Sequence, residues 1–423
     1  MKNWIRYFYQ PGLPLGRDGK RVTGSKEHIE LSRKAAAEGM VLLKNEGKVL
    51  PLAAGKRVAV FGKACTDYVK GGGGSGDVTV AYMHNLIDGL RIKEAEGKVC
   101  LYEPLAAFYE EETGRQYQEG HEPGMVAEPE VPAGLLQGAK TFTDTAIVTI
   151  CRFSGENWDR TVGTEDVADN PFQSEKGRMF VKRSSELFER GDFYLSDAEQ
   201  RMVETVKENF AHVVVVMNVG GMVDSSWFAG DDRIASVLMA WQGGMEGGLA
   251  AADLLTGDVT PSGKLVDTFA KSLEDYPSSA HFHDSLYYVD YTDDIYVGYR
   301  YFETIPGAAE RVNYPFGFGL SYTRFAVWQK QSRMTEEGFE LLAEVTNIGD
   351  YEGKEVLQLY VSAPQGRLGK PAKELKAFVK TRLLRPGERQ VVSLFVPKES
   401  LASYDDEGRI RKSACLLYTS RCV

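Results

Sequence analysis

Two largely apolar runs, Ala146–Ile150 with Thr149 as its one polar residue and Val213–Met217 with none, constrain this chain more than any other feature. A strand with one wet face alternates apolar and polar residues. A strand without alternation is covered on both faces, as in a parallel sheet between helix layers. Related runs occur at Arg57–Phe61, Lys98–Tyr102 and Ser236–Trp241. Helix patterns over 81–90, 196–209 and 246–255 separate them, and Glu110–Glu112 closes a short helical stretch. Strand and helix in alternation imply βαβ units, so the fold class is α/β, with a mainly parallel sheet sandwiched by helices. A further helix is predicted over 26–38, with Ser25 as its cap and Ile29, Leu31, Ala35 and Ala36 as its inner face. Ser196 with Glu199 forms a capping box, and Gly257 ends the helix over 246–255.

Beyond residue 277 the pattern changes. Tyrosines and acids crowd the stretch 287–301, which reads as an ordered connector with its tyrosines packed at a domain interface. From Phe325 the pattern is all-β, with alternating strands at Phe339–Asn347, Glu355–Val361, Lys373–Phe378 and Gln390–Val396 and Gly and Pro turns between. That spacing predicts an immunoglobulin-like β-sandwich. The expected organisation is an N-terminal arm over 1–24, an α/β sandwich domain over 25–276, a connector over 277–324 and an incomplete β-sandwich over 325–414. Residues 415–423 lack strand and turn logic and are expected to be non-native; Cys415–Ser420 back-translates into a transposon end used in sequencing libraries.

Composition excludes several partners. A formal net charge of -10 argues against nucleic acid or an anionic membrane surface. No apolar run approaches the ~20 residues of a spanning helix, and the N-terminus has no signal-type apolar core. Five cysteines and six histidines show no metal-ligand spacing, so no metal and no cofactor are expected. Scattered thiols suit a reducing cytoplasm better than a disulfide scaffold.

The chemistry concentrates where the first apolar run ends, at Cys151–Arg160. Strand tips of open α/β sheets carry loops that face a crevice. Glu156, between Gly155 and Trp158, suits a general acid whose pKa an aromatic wall would raise. Its bland alternative is an ion pair with Arg152 or Arg160. Trp158 either stacks on a sugar or covers the sheet edge. Asp159 and Arg160 are expected to pair with each other or with neighbours. The loop Gly71–Asp77 follows a strand as phosphate loops do, but it lacks a Gly-Lys-Ser/Thr ending, and Asp77 would repel phosphate. Asp192 reads as a cap or turn residue, and Glu246 as a carboxylate placed at a helix start by the dipole.

Eight motifs in order carry a family resemblance. They are Val41–Glu46 with Leu50–Leu52, Gly73–Gly76, Ser154–Glu156, Gly191–Leu195, Trp241–Gly244, Pro261–Leu265, Asp294–Tyr301 and Tyr314–Thr323. From about residue 28 to 412 the chain resembles family 3 glycoside hydrolases, the β-glucosidase family. Residues 345–349 and 353–356 resemble that family's fibronectin type III-like domain. The resemblance implies hydrolysis of β-linked glucosides or oligosaccharides with retention, by a nucleophilic Asp on a (β/α)8-type barrel and an acid/base Glu on the α/β domain. Glu156 matches that Glu. Trp158, Ser75 and Arg160 are carried over as substrate-binding candidates. No stretch of the chain carries the resemblance to that barrel, so the barrel and its Asp are expected to be missing from it. The resemblance therefore implies a member of reversed domain order, cut before its last sandwich strand and inactive alone. Two other readings remain open, a non-catalytic module that binds carbohydrate or protein, and a nucleotide-binding protein using the glycine loop.

Overall fold

The computed structural model describes residues 18–19, 23–156, 160–161, 174–281, 285, 287–366, 368–404, 410–412 and 417–419. The α/β part runs α1 (Lys26–Gly39), β1 (Val41–Asn45), β2 (Lys56–Phe61), α2 (Leu86–Ala95), β3 (Val99–Leu101), α3 (Glu103–Gln118), α4 (Ala133–Phe142), β4 (Thr145–Cys151), α5 (Glu175–Leu187), α6 (Asp197–Asn209), β5 (His212–Asn218), α7 (Ser226–Ala229), β6 (Ile234–Met239) and α8 (Gly247–Thr256). Its six strands stand in the order β1-β6-β5-β4-β2-β3. All neighbours are parallel except β1, which runs antiparallel on β6. Every residue of β4 is buried, and so is β5 after its first residue. The apolar runs thus have the cause inferred for them: helices cover both faces.

Strand order reverses between β2 and β4. From β2 the chain crosses to β3, then returns past β2 to β4 and continues outward to β5 and β6. Right-handed crossovers put α2 on one face and the helices that follow β3 on the other. The packing agrees, with α8 against both α1 and α2, and α3 against α4. Loops leaving the carboxyl ends of β2 and β4 therefore diverge to opposite faces and leave a crevice, where open α/β sheets bind ligands.

Several local expectations need correction. The helix expected over 81–90 starts at Leu86, because Asn85 and Asp88 form a reciprocal capping box (3.1 and 2.8 Å). The stretch expected to close at Glu110–Glu112 continues to Gln118, supported by Arg115 pairing with Glu112 and Glu119 at 2.9 and 2.6 Å. On α1, Leu31 is 62% exposed and Ala35 is exposed. Of the expected inner face Ala36 does pack on the core, joined by Arg33 and Ala37, with Arg33 bridging to Asp253 at 2.6 and 2.5 Å. The helices α4 and α5 had not been anticipated.

The connector holds β7 (Phe269–Ala270), α9 (Tyr299–Thr304) and β8 (Val312–Tyr314). Only the end of the tyrosine band packs at the interface. Tyr299 stacks on Phe316 at 4.5 Å, and its hydroxyl accepts from the Leu375 amide at 2.7 Å. Tyr287, Tyr288 and Tyr291 are 78%, 65% and 95% exposed, against expectation.

The β-rich part contains β9 (Phe325–Met334), β10 (Gly338–Asn347), β11 (Val356–Ser362), β12 (Glu374–Lys380), β13 (Arg389–Pro397), β14 (Ala402–Tyr404), β15 (Ile410–Lys412) and β16 (Leu417–Thr419). One sheet is β13-β10-β9 and the other β12-β11-β16. The inner face of β10 alternates as expected, with Phe339, Leu341, Ala343 and Val345 in the second core. A cavity of about 140 Å³ is lined by Phe325, Val327, Ala343, Leu357 and Leu359 of the two sheets and by Pro315–Phe318 of the connector, among others. Leu417–Thr419, where no strand was expected, pairs with Tyr360–Ser362. Among the described residues no helix is long and apolar enough to cross a membrane.

Candidate active site

The site is built from the tip of β4 outward. The residue after the strand, Arg152, is 3% exposed. It meets Glu199 of α6 through two bonds of 2.8 Å and donates to the carbonyls of Cys151, Asp192 and Tyr194 at 2.6, 2.7 and 2.8 Å. A buried cation is tolerated only when it is paired and its donors are met, and here both conditions hold. Glu199 also accepts from the Ser196 amide at 3.0 Å in the anticipated capping box. One ion pair thus joins the β4 tip, the segment Gly191–Leu195 and the start of α6. Asn218, at the tip of β5, accepts from the Val69 amide at 2.7 Å and donates to the Val69 and Trp241 carbonyls at 2.9 and 2.6 Å. It clamps together the loops that follow β2 and β6.

On this base the chain makes one more short pairing. The Gly73 amide donates to the Ser154 carbonyl at 3.0 Å, and the Glu156 amide donates to the Gly73 carbonyl at 3.2 Å. The glycine loop and the Ser154–Glu156 motif are thereby one structure spanning the β2–β4 crevice. Gly74 sits at φ +76°, and a Cβ there would lie 2.4 Å from the Glu156 Cβ. Both the left-handed backbone and the close approach require glycine. The Ser75 amide donates to Glu156 Oε2 at 2.8 Å, and its hydroxyl donates to the same oxygen.

These two donors change the electrostatic reading. The carboxyl is exposed, and the Ser75 hydroxyl and then its amide hold it below its ordinary value. The expectation of a pKa raised by an aromatic wall is therefore not met: donors that stabilise the anion outweigh desolvation at an exposed site. The alternative ion pairs of Glu156 are not formed either, since Arg152 is paired with Glu199 and Arg160 with Asp192. Arg160 Nε lies 3.0 Å from Asp192 Oδ1, and the guanidinium also donates to the carbonyls of Asp192 and Met222 at 2.6 and 2.5 Å. Burial pushes the Asp192 carboxyl up while Arg160 and Arg152 pull it down. Asp192 is thus an ion-pair anchor rather than a cap. Ser75 and Glu156 are brought together; Arg160 is spent on structure; Trp158 and Asp159 lie outside the described residues. The Ser75 amide and hydroxyl are spent on the Glu156 carboxylate, whose charge repels phosphate, which weighs against a nucleotide reading of the loop.

Sequence reasoning missed Asn218, which looked like the end of an apolar strand, and His84. The latter lies further along the loop from Ser75, with its Nδ1 3.3 Å from Oε1 of the buried Glu246. Among the described residues no group of three or more His, Cys, Asp or Glu is placed to hold a metal ion.

Comparison with known proteins follows the same division. The family described as glycosyl hydrolase family 3 C-terminal domain matches residues 40–322, and the fibronectin type III-like domain matches 355–414. Beta-glucosidase A of Butyrivibrio fibrisolvens is 54% identical over 432 residues, covering 99% of this chain and 51% of that protein. A Ruminococcus albus beta-glucosidase is 38% identical over 90% of this chain and 37% of its own length. The chain therefore spans about half or less of the curated relatives it matches. The crystal structure of a beta-glucosidase from Paenibacillus barengoltzii superposes with a TM-score of 0.78 at 43% identity, over 90% of this chain and 39% of that one. Beta-glucosidase 3B from Thermotoga neapolitana, in complex with glucose, superposes with a TM-score of 0.77 at 34% identity, over 92% of this chain and 51% of that one. An α/β sheet with this switch point, followed by a fibronectin type III-like sandwich and matched in this way, means that the chain belongs to glycosyl hydrolase family 3.

Proposed function

We propose that this chain is the acid/base half of a β-glucosidase-type glycoside hydrolase, with Glu156 as the acid/base. The nucleophilic carboxylate is supplied by a barrel domain outside these 423 residues. The substrate class is a β-linked glucoside or oligosaccharide, and the expected compartment is a reducing one, in keeping with the free thiols Cys65, Cys100 and Cys151. The expected division remains an α/β domain over 25–276, a connector and a sandwich over 325–414.

The observation that supports this reading is the placement of Glu156. It stands exposed at the switch point, on a strand tip fixed by the Arg152–Glu199 pair, beside a glycine loop that leaves its outer side open. In a retaining reaction the partner carboxylate attacks the anomeric carbon while Glu156, protonated, gives its proton to the departing glycosidic oxygen. Glu156 then removes a proton from water, whose oxygen attacks the glycosyl–enzyme ester and releases the carboxylate. The Ser75 contacts suit the second step, since they stabilise the anion. For the first step the carboxyl must be raised, and burial of Glu156 beneath a docked barrel and sugar does this by desolvation.

The test is complementation. The purified chain is assayed on an aryl β-glucoside alone and after mixing with the part of Butyrivibrio fibrisolvens beta-glucosidase A that it does not match. The reading expects no turnover alone, turnover in the mixture, and a loss of about 10²–10⁴-fold in the mixture with Glu156→Gln. Glu156-dependent turnover by the chain alone would overturn it.

A further inference from the structure

Next to the Ser154–Glu156 motif lies a buried polar network that the proposed chemistry does not use. After β2 the chain turns at 63–67, where the Asp67 amide donates to the Lys63 carbonyl at 2.8 Å. Asp67 is 0% exposed and Lys63 3%. Asp67 Oδ1 accepts from the Tyr117 hydroxyl of α3 at 2.6 Å and from the Gly124 amide at 2.7 Å, while Oδ2 accepts from Lys63 Nζ at 3.0 Å. Lys63 Nζ also donates to the Gly124 carbonyl at 3.2 Å. One ion pair thus holds both backbone polar groups of Gly124. The same segment is fixed again further along. The Lys63 amide donates to Glu128 Oε2 at 2.8 Å, and Gln116 exchanges bonds of 2.8 and 3.1 Å with the Ala127 backbone.

What rests on Gly124 is Phe153. Gly124 sits at φ +78°, and a Cβ there would lie 2.5 Å from the Phe153 Cβ and 3.3 Å from Val69 Cγ2. Only glycine allows both this conformation and this approach. Phe153 packs against Met125, Phe180 and Val181, its ring centroid 5.6 Å from that of Phe180, and also against Ala64, Val69 and Cys151. Ser154 follows it directly, and the Ser154 carbonyl takes the Gly73 amide of the short pairing that ends at Glu156. The motif therefore leaves the sheet on two neighbouring supports. Arg152 is held by Glu199, and Phe153 is held by the seat that Lys63 and Asp67 fix. An ion pair this deep offsets little more than its own desolvation, so what it contributes is a fixed geometry.

The geometry points to Asp67 as a positioning residue for Glu156. Together with Lys63 it fixes Gly124, Gly124 sets the seat of Phe153, and Phe153 sets where the chain turns into the Ser75 contact. Asp67 touches no reacting atom, and no proton transfer is assigned to it. Its part in turnover rests on the reading of Glu156 as the acid/base; its coupling to the Ser75–Glu156 contact does not.

The test follows the Ser75 amide, which donates to Glu156, in the full chain labelled with ¹⁵N-serine. Ser75→Ala identifies its signal, and a pH titration of that signal reads the Glu156 midpoint. Asp67→Asn should displace the signal and move the midpoint up, as the donors to the carboxylate loosen. Removing a negative charge would by itself move the midpoint down, so the sign separates geometry from charge. Gly124→Ala, which changes no charge, should act in the same direction and serves where Asp67→Asn does not fold. On a Phe153→Ala background, Asp67→Asn should add nothing. In the complemented protein, kcat/KM covers the steps up to departure of the leaving group. Asp67→Asn should lower it about 10–100-fold for an unactivated aryl β-glucoside, and far less for an activated one whose leaving group needs no proton. A merely structural loss lowers both alike. An unmoved Ser75 signal in the folded variants, an additive effect on the Phe153→Ala background, or equal losses for the two substrates overturns the inference and leaves the acid/base reading intact. A moved signal with no turnover in the wild-type mixture upholds the coupling to Ser75 and sinks the acid/base reading.

Discussion

Glu199→Gln puts the foundation of the site to a quantitative test. The wild-type side chain accepts two charge-assisted bonds of 2.8 Å from Arg152, and both residues are almost fully buried. Glutamine keeps the shape but turns an NH2 toward one guanidinium donor, so one bond is lost and the Arg152 cation is left without its counter-charge. Breaking a buried pair on one side costs about 3–5 kcal/mol. Arg152 keeps its three carbonyl partners, which places the expected cost near the lower end, about 3 kcal/mol. Equilibrium urea unfolding at neutral pH, followed by far-UV circular dichroism, measures it as a midpoint shift at constant slope. The pH dependence adds a second readout. The Arg152 partnership holds the Glu199 carboxyl below its ordinary value of 4.5 despite burial. A depressed carboxylate stabilises fully above its unfolded value, and that stability is lost as pH falls through the folded value. The wild-type and variant stabilities should therefore converge as the pH drops below 4.5. A cost under about 1 kcal/mol, or parallel acid limbs, refutes the assignment of this pair as the anchor of the strand tip.

Three other outcomes follow from the geometry. Ser75→Ala removes the hydroxyl that contributes most to lowering Glu156, so the Glu156 midpoint in a ¹³C carboxyl titration moves up; an unmoved midpoint contradicts the Ser75 contact. Asn218→Ala strips partners from the Val69 amide and from two carbonyls, and thermal unfolding should register a loss of about 2–4 kcal/mol, whereas a loss within error would mean that the β2 and β6 loops hold without the clamp. In the sandwich, Ala343→Val adds methyls toward the cavity of about 140 Å³ and should stabilise by about 1 kcal/mol, read as a raised urea midpoint; destabilisation would show that the space is not free to be filled.

Much of the architecture was legible because periodicity reports burial. Val213–Met217 has no polar residue to turn toward water, so it had to be covered on both faces. Ser196 and Glu199 announced a helix start through their spacing alone. Helix faces were less legible. Leu31 looked like an inner residue, yet the α1–α8 contact is made by small side chains and the Arg33–Asp253 bridge, which hydropathy does not reveal. The tyrosine band misled for the same reason: composition cannot tell which of Tyr287 and Tyr299 meets a partner surface. In the site, Glu156 was found from its position at a strand tip and from its motif. Its electrostatics were not, because the deciding donors come from Ser75, 81 residues away in sequence. Arg160 was expected to find a neighbour, but its partner, Asp192, arrives through a segment whose fold no local pattern specifies. Asn218 and the His84–Glu246 pair depend on loops from different strands meeting at one edge, which only the topology supplies.

The most direct measurement of the central claim is azide rescue of Glu156→Ala in the complemented protein, with an activated aryl β-glucoside as substrate. A leaving group that departs without a proton allows the first step. The glycosyl ester then accumulates, because no base serves water, and azide attacks it without needing one. The account predicts that added azide restores turnover and yields the β-configured glucosyl azide. Absence of rescue, or an α-configured product, would contradict Glu156 as the acid/base of a retaining hydrolase.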